Sequence, residues 1–425
     1  ILNTINGGAT THGYLLIQSA SANNLDFTSY PGVFLGTTSL NTTYTGTLTP
    51  SGGAYRFGGG GVGYFFSGNN GLVLNNLTGA NDVLVSGSGL ITLASGNNYT
   101  GRTIVSNRAA VRIDGDYLGA VPGSVVADNL AFYNGVLRFG PSTWTMPANR
   151  GIYLVAGGAE FHPWSTANVT IAGPISGPGS ILVTDSGILR FTGVNTFSGG
   201  LTMNAGTIYV NADSGLGAAG GPLTLNGSRL QVANSMTLDN RAFSISGNIQ
   251  ISTDAGATLT VTNPITGGGS LMKEGSGTLL LQANNTYTGN TTNNGGTIRL
   301  GAAGGIPGGA GRGNVCLNPG TTLDLNGFSP ILNGLTLKAG WITNSAAGAA
   351  TLTVGANNQT GMISGAIVGN IALTKTGTAA FVVNLNQSYP GLTTVAQGKL
   401  TLDGASLAGP VHVASGATLA TSDSA

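Results

Sequence analysis

The chain has 425 residues, of which 73 are glycine; only 7% are charged, 41% are apolar, and the formal net charge is +1. Such a balance gives no electrostatic footing for nucleic acid or an acidic membrane surface, and no run approaches the ~20 apolar residues of a membrane-spanning helix. One cysteine, Cys316, excludes an internal disulfide framework, and its neighbours Asn314, Val315 and Leu317 predict a buried, inert thiol in a strand. Along the chain, residues 1–86 are rich in aromatics (Tyr14, Phe27, Tyr30, Phe34, Tyr55, Phe57, Tyr64, Phe65) and carry the run Gly58–Gly61. They read as a variant β module or a cap. Short apolar, alternating or β-branched runs then follow: Val83–Val85, Leu90–Leu93, Ala110–Ile113, Val136–Phe139, Ile181–Thr184, Ile188–Phe191, Thr207–Val210, Leu223–Leu225, Arg229–Val232, Thr258–Val261, Thr322–Leu325, Leu335–Lys338, Ala350–Val354, Lys399–Leu402 and Val411–Val413. Each predicts a strand, and the Asn-Gly, Ser-Gly, Gly-Gly and Gly-Pro pairs between them are turn chemistry. No window of ~11 residues has a 3.6 period, which excludes a helix-rich fold.

One phrase recurs about every 90–100 residues. Its clearest copy is GSGTLLLQANNTYTGNTTNNGGTIRL at 275–300; others lie at 87–114, 186–210 and, more weakly, 376–403. The centre of each is a polar corner: Asn97, Tyr99 and Gly101; Asn195, Phe197 and Gly199; Asn285, Tyr287 and Gly289; and Tyr389 with Gly391. Tyr44-Thr45-Gly46 is a degenerate fifth copy. Runs of the form Gly-x-Leu-x-Leu (277–281, 296–300, 398–402) place two inward apolar residues around an outward polar one, since strand side chains alternate. These patterns predict an all-β parallel solenoid with Gly/Asn/Thr-rich turns and ~20–25 residues per coil. The expected organisation is 1–86, then repeats at 87–176, 177–267 and 268–367, then a partial repeat at 368–425. Each repeat closes on a similar phrase: AGPISG, TNPITG, ISGAIVG. Immunoglobulin-like sandwiches of ~90–100 residues would share the spacing, but short strands and a motif recurring within each unit favour coils.

The run Gly275–Leu281, Asn285-Thr286-Tyr287-Thr288-Gly289 and Gly295–Leu300 resemble the autotransporter-associated β-strand repeat, also called the passenger-associated transport repeat. The block at 87–106 matches nearly as well. The phrase at 44–60 resembles very large bacterial surface repeat proteins. The resemblance implies a right-handed parallel β-helix on the bacterial exterior, in a setting where the repeat assists passenger secretion and folding. No stretch reads as an outer-membrane barrel. The chain begins at Ile1 inside a polar stretch with no signal peptide, so both ends read as processed or cut from something longer.

Chemistry-bearing residues are few. Asp114, Asp116, Asp185 and Asp239 would have to converge for a polysaccharide-degrading enzyme; Asp114-Gly115-Asp116 reads more simply as a strand end and a turn. Lys273 beside Glu274 is the other close pair. His12, His162 and His412 lack metal-ligand spacing, and Gly58–Gly61 lacks the Lys-Ser/Thr of a phosphate loop. Arg102, Arg108, Arg112, Arg138 and Arg190 read as solvated faces. Trp144, Trp164 and Trp341 read as coil filling or end covers, with sugar stacking as the alternative. No catalytic, metal or cofactor site is expected. The expected function is a non-catalytic extracellular stalk, fibre or coat segment of a larger secreted protein that stacks end to end with copies or neighbouring segments; the alternative is an adhesin or glycan-binding passenger.

Overall fold

A computed structural model describes residues 12–60, 71–238 and 240–422. Gly61, Tyr64, Phe65 and Asp239 lie outside the described residues. The chain forms two compact units: Ile1–Val210 with Ser214–Pro222, and Asn211–Asp213 with Leu223–Ala425. Each is a parallel β-solenoid, with almost no helix among the described residues.

In the first unit one sheet stacks His12–Ile17, Gly32–Thr37, Ala54–Phe57, Asp82–Ser86, Thr103–Ser106, Val126–Tyr133, Arg150–Leu154 and Ile175–Ser176. A second carries Thr42–Tyr44, Leu72–Leu74, Leu90–Leu93, Ala110–Ile113, Gly135–Phe139, Ala159–Pro163, Ile181–Val183 and Leu201–Met203; a third starts at Thr143–Met146 and includes Asn168–Ile171, Ile188–Phe191 and Thr207–Val210. The second unit repeats the plan. One of its sheets runs through Asn248–Thr253, Ser270–Glu274, Thr291–Asn293, Val315–Leu317 and onward to Thr418–Ser422.

The core follows from alternation. Leu259, Leu279, Ile298, Leu323, Ile342 and Ile367 stand in register on successive coils, and all are fully buried. Burying each such side chain contributes about 1.5–3 kcal/mol, so the solenoid is held by ladders of like residues rather than one compact centre. Between them sit outward residues such as Thr260, Leu280 and Arg299, also in register. Turns into the second strand of each repeat need a left-handed residue: Gly206, Gly296 and Gly398 have φ of 74°, 65° and 70°. In the first copy Arg108 holds that place at φ 60°, a conformation that costs a non-glycine residue on the order of 1 kcal/mol.

Candidate functional site

The recurring corner is built alike in both units. In the third copy Asn285, 6% exposed, accepts the Ile265 N–H on Oδ1 at 2.7 Å and donates from Nδ2 to the Gly305 carbonyl at 2.6 Å. Those partners lie twenty residues before and twenty after it. One carboxamide therefore ties three successive coils. Asn195 does the same between Ile175 N–H (2.8 Å) and Gly215 C=O (2.8 Å). Asn97 accepts the Leu77 N–H at 3.0 Å but donates backwards, to Leu74 and Ala94 carbonyls. The fourth copy has no Asn two residues before its aromatic. Gln387 stands there, accepts the Ile367 N–H at 2.8 Å and donates to Gly365 and Leu385 carbonyls. Residue type hides Gln387 in the sequence; its offset of two from Tyr389 is the signal that marks it. Ile175, Ile265 and Ile367 belong to the closing phrases of the preceding repeats, so each phrase is physically fastened by the next corner.

The aromatic points inward. Tyr99, Phe197, Tyr287 and Tyr389 are all fully buried. The tyrosine hydroxyls pair with threonines four residues on: Tyr99 with Thr103 at 2.6 Å, Tyr287 with Thr291 at 2.6 Å, Tyr389 with Thr393 at 2.7 Å. Where the aromatic is Phe197, the residue four on is Leu201, also buried. Both partners are polar or both apolar, as a dry interior demands. Burial raises the phenol pKa of Tyr99, Tyr287 and Tyr389, so these rings are neutral at any ordinary pH. The corner glycine is required by close approach: a Cβ at Gly289 would overlap the Gly269 carbonyl, and one at Gly391 the Ile371 carbonyl of the preceding coil.

A second device serves the two copies in the second unit. Lys273 Nζ donates to the carbonyls of Glu274 (2.5 Å), Gly275 (2.9 Å) and Gly295 (3.0 Å); Lys375 Nζ donates to Thr376 (2.9 Å), Gly377 (2.7 Å) and Gln397 (2.9 Å). Both lysines are fully buried. Burial pushes Lys273 down to about 8 and lowers Lys375 as well; the carbonyl cages work in the opposite sense by favouring the ammonium. Each cage gathers two carbonyls of its own turn and one from the next coil. The close pair Lys273 and Glu274 is thus an internal clamp, in which the lysine bonds the Glu274 carbonyl.

A family model for the passenger-associated transport repeat matches residues 85–107, 183–210, 271–300 and 373–402. Four passenger-associated transport repeats are present in this chain. All four matched segments contain the corner just described. Over 184 residues, 42% of its length, the chain is also 35% identical to the adhesin BmaC autotransporter of Brucella suis biovar 1 (strain 1330); the match spans 5% of that protein. No solved structure matches the chain significantly.

Among the described residues, the singled-out carboxylates have separate partners. Asp114 pairs with Arg112 at 2.9 Å, Asp116 with Arg150 at 2.8 Å, and Asp185 lies 3.6 Å from His162. A hydrogen bond from His162 holds the Asp185 carboxyl below its ordinary value. Three sequence expectations need correction. Arg112 and Arg138 are under 10% exposed rather than solvated, and Arg112 lies 5.7 Å from the Trp164 ring centroid. Trp341 is 45% exposed rather than coil filling, because it takes the outward place beside inward Ile342. Cys316 is half-buried at the outward position of Val315–Leu317, where its Sγ lies 3.7 Å from Asn318 Oδ1.

The repeat can be tested at its aromatic. Phe197→Tyr should destabilise the protein by about 1–3 kcal/mol, because a buried hydroxyl then faces Leu201 without a partner. Adding Leu201→Thr should recover much of that loss, reproducing the pair found in the other three repeats. A double-mutant cycle read by urea midpoints gives the coupling; strictly additive effects would show that the two side chains do not form one unit.

Proposed function

We propose that this chain is a non-catalytic, extracellular segment of a larger secreted repeat protein, serving as a stalk, fibre or coat piece on the bacterial surface. The observation that carries the reading is where the repeat's own residues go. The carboxamides of the four copies, and the lysines of two of them, bond one coil to the next, while the aromatics are buried inside the coils, three of them paired with a threonine four residues on, leaving none of these side chains to meet a substrate. The four repeat matches support passage to the cell exterior. Every coil offers its neighbour the same parallel hydrogen-bonding edge, which favours end-to-end stacking of copies or adjoining segments.

A second reading, an adhesin passenger, is favoured by the similarity to a Brucella adhesin autotransporter. Antibodies against the purified chain decide the location common to both: they should label intact, unpermeabilised cells. Label that appears only after permeabilisation would overturn the proposal. Negative-stain images of the purified chain then address stacking, which requires rods longer than one molecule at raised protein concentration; single particles at every concentration would remove it.

A further inference from the structure

In the first unit, the sheet that starts at Thr143–Met146 presents two outward columns. Thr145, Thr170, Arg190 and Tyr209 stand in register in one, and Thr143, Asn168, Ile188 and Thr207 in the other. All are exposed or half-buried, and none is acidic. Arg190 is the charge on this face. Its Nε donates to Asn168 Oδ1 at 2.9 Å, and its guanidinium carbon lies 4.4 Å from the centroid of the Tyr209 ring. The group is therefore held from the strand before and from the strand after. Arg102, Arg108, Arg112, Arg150, Arg241 and Arg299 each have a carboxylate at 2.6–3.9 Å. Arg190 has none among the described residues, and its terminal nitrogens have no acceptor there. The repeat itself does not ask for this cation: seven residues before the corner aromatic, the other copies have Thr92, Leu280 and Val382.

We propose that this face binds an anionic polysaccharide, with a carboxylate or sulfate of the ligand seated on the Arg190 guanidinium. A planar guanidinium presents parallel N–H donors that match two oxygens of one oxyanion. One already fixed by an amide and a ring loses little rotamer freedom when the anion arrives. Around it the hydroxyls of Thr143, Thr145, Thr170 and Thr207 carry no hydrogen bond to another described residue, so they remain open to ligand hydroxyls. A peptide would be read through an open strand edge, but Ile188–Phe191 has a paired strand on either side. What the face offers is hydroxyls about one fixed cation, the complement of a sugar chain that carries an acid. This site adds a ligand to the surface-segment reading without depending on it: that reading rests on the coil interiors and would survive the loss of this one.

Titration calorimetry of the full chain tests the proposal, at low ionic strength because salt screens exposed charges. The probes are hexagalacturonate, its methyl ester as the same sugar without charge, a sulfated dextran oligosaccharide, and hexaglutamate. At least one anionic sugar should bind, and the tighter of the two identifies the oxyanion; the methyl ester should bind about tenfold or more weakly than the free acid if that acid is the ligand. Arg190→Gln should weaken the binding about tenfold. Arg190→Lys keeps the charge but loses the fork, and should weaken it several-fold; it carries the test alone if melting temperatures show the glutamine variant to be unstable. Lys338→Gln removes an exposed charge elsewhere in the chain and should leave the affinity unchanged. Absence of binding by both anionic sugars, tighter binding of the methyl ester or of hexaglutamate, full affinity in Arg190→Lys, or an equal loss in Lys338→Gln would each overturn it.

Discussion

Asn285→Ala should cost about 2–4 kcal/mol of stability. The carboxamide satisfies a buried N–H of the coil before, at Ile265, and a carbonyl of the coil after, at Gly305. Alanine leaves both unpaired, and each orphaned buried group costs about 1–3 kcal/mol. Asn195→Ala should behave alike, having the same forward and backward partners. The neighbour Asn284 provides the control. Its Oδ1 accepts the Gly304 N–H at 2.9 Å, but in an exposed setting where water can substitute. Asn284→Ala should stay within about 0.5 kcal/mol of the parent. Urea midpoints of the three variants test the difference; equal effects at 284 and 285 would contradict the account. A solenoid need not unfold all at once, so the loss is also expected to be local.

Arg150→Met should be the most damaging single change in the first unit, by about 3–5 kcal/mol. The guanidinium is fully buried. It reaches Asp116 through Nε at 2.8 Å, Asn129 Oδ1 at 2.5 Å and the Leu118 carbonyl at 2.8 Å. Its second terminal nitrogen reaches Asp116 Oδ2 at 3.1 Å and the Gly119 carbonyl at 3.2 Å. The residues 116–119 that it gathers belong to an irregular turn with no sheet partners of its own, so the arginine takes the place of a ladder there. Methionine fills some of the volume but leaves a carboxylate and two carbonyls without donors. Asp116→Asn added to Arg150→Met should restore part of the loss, because the uncompensated charge is then gone. Thermal midpoints decide this; a double variant less stable than the single would show that the stranded carboxylate is not the source of the cost.

The coil ladders were legible in the sequence because alternation survives translation into structure directly. The inward series from Leu259 to Leu323 can be picked out once the Gly-x-Leu-x-Leu phrase is seen, whereas Ile342 and Ile367, which continue it, sit in short strands that no such phrase marks. The corner was legible as a recurrence, and Asn285, Tyr287 and Gly289 all proved to be places where one coil meets another. What was hidden depended on partners that composition does not display. Lys273 is clamped by three backbone carbonyls, which have no residue type. Gln387 performs asparagine's task with one more methylene. Arg150 and Asp116 are 34 residues apart, a separation that means proximity only once the coil length at that point is known. Trp341 and Cys316 show the reverse limit: in a strand of three residues an apolar residue can take either face, and the neighbours with the better-packed columns, Ile342 in one and Val315 and Leu317 in the other, decide which.

The central claim is that the passenger-associated transport repeat is a fastening between coils. Hydrogen exchange read by mass spectrometry, under conditions where both proteins stay folded, tests it most directly on the parent chain and Asn285→Ala. The account predicts faster exchange concentrated in the peptides containing Ile265 and Gly305, the coils that Asn285 joins, with the repeats at 85–107 and 183–210 unchanged. Unaltered protection at Ile265 would contradict it.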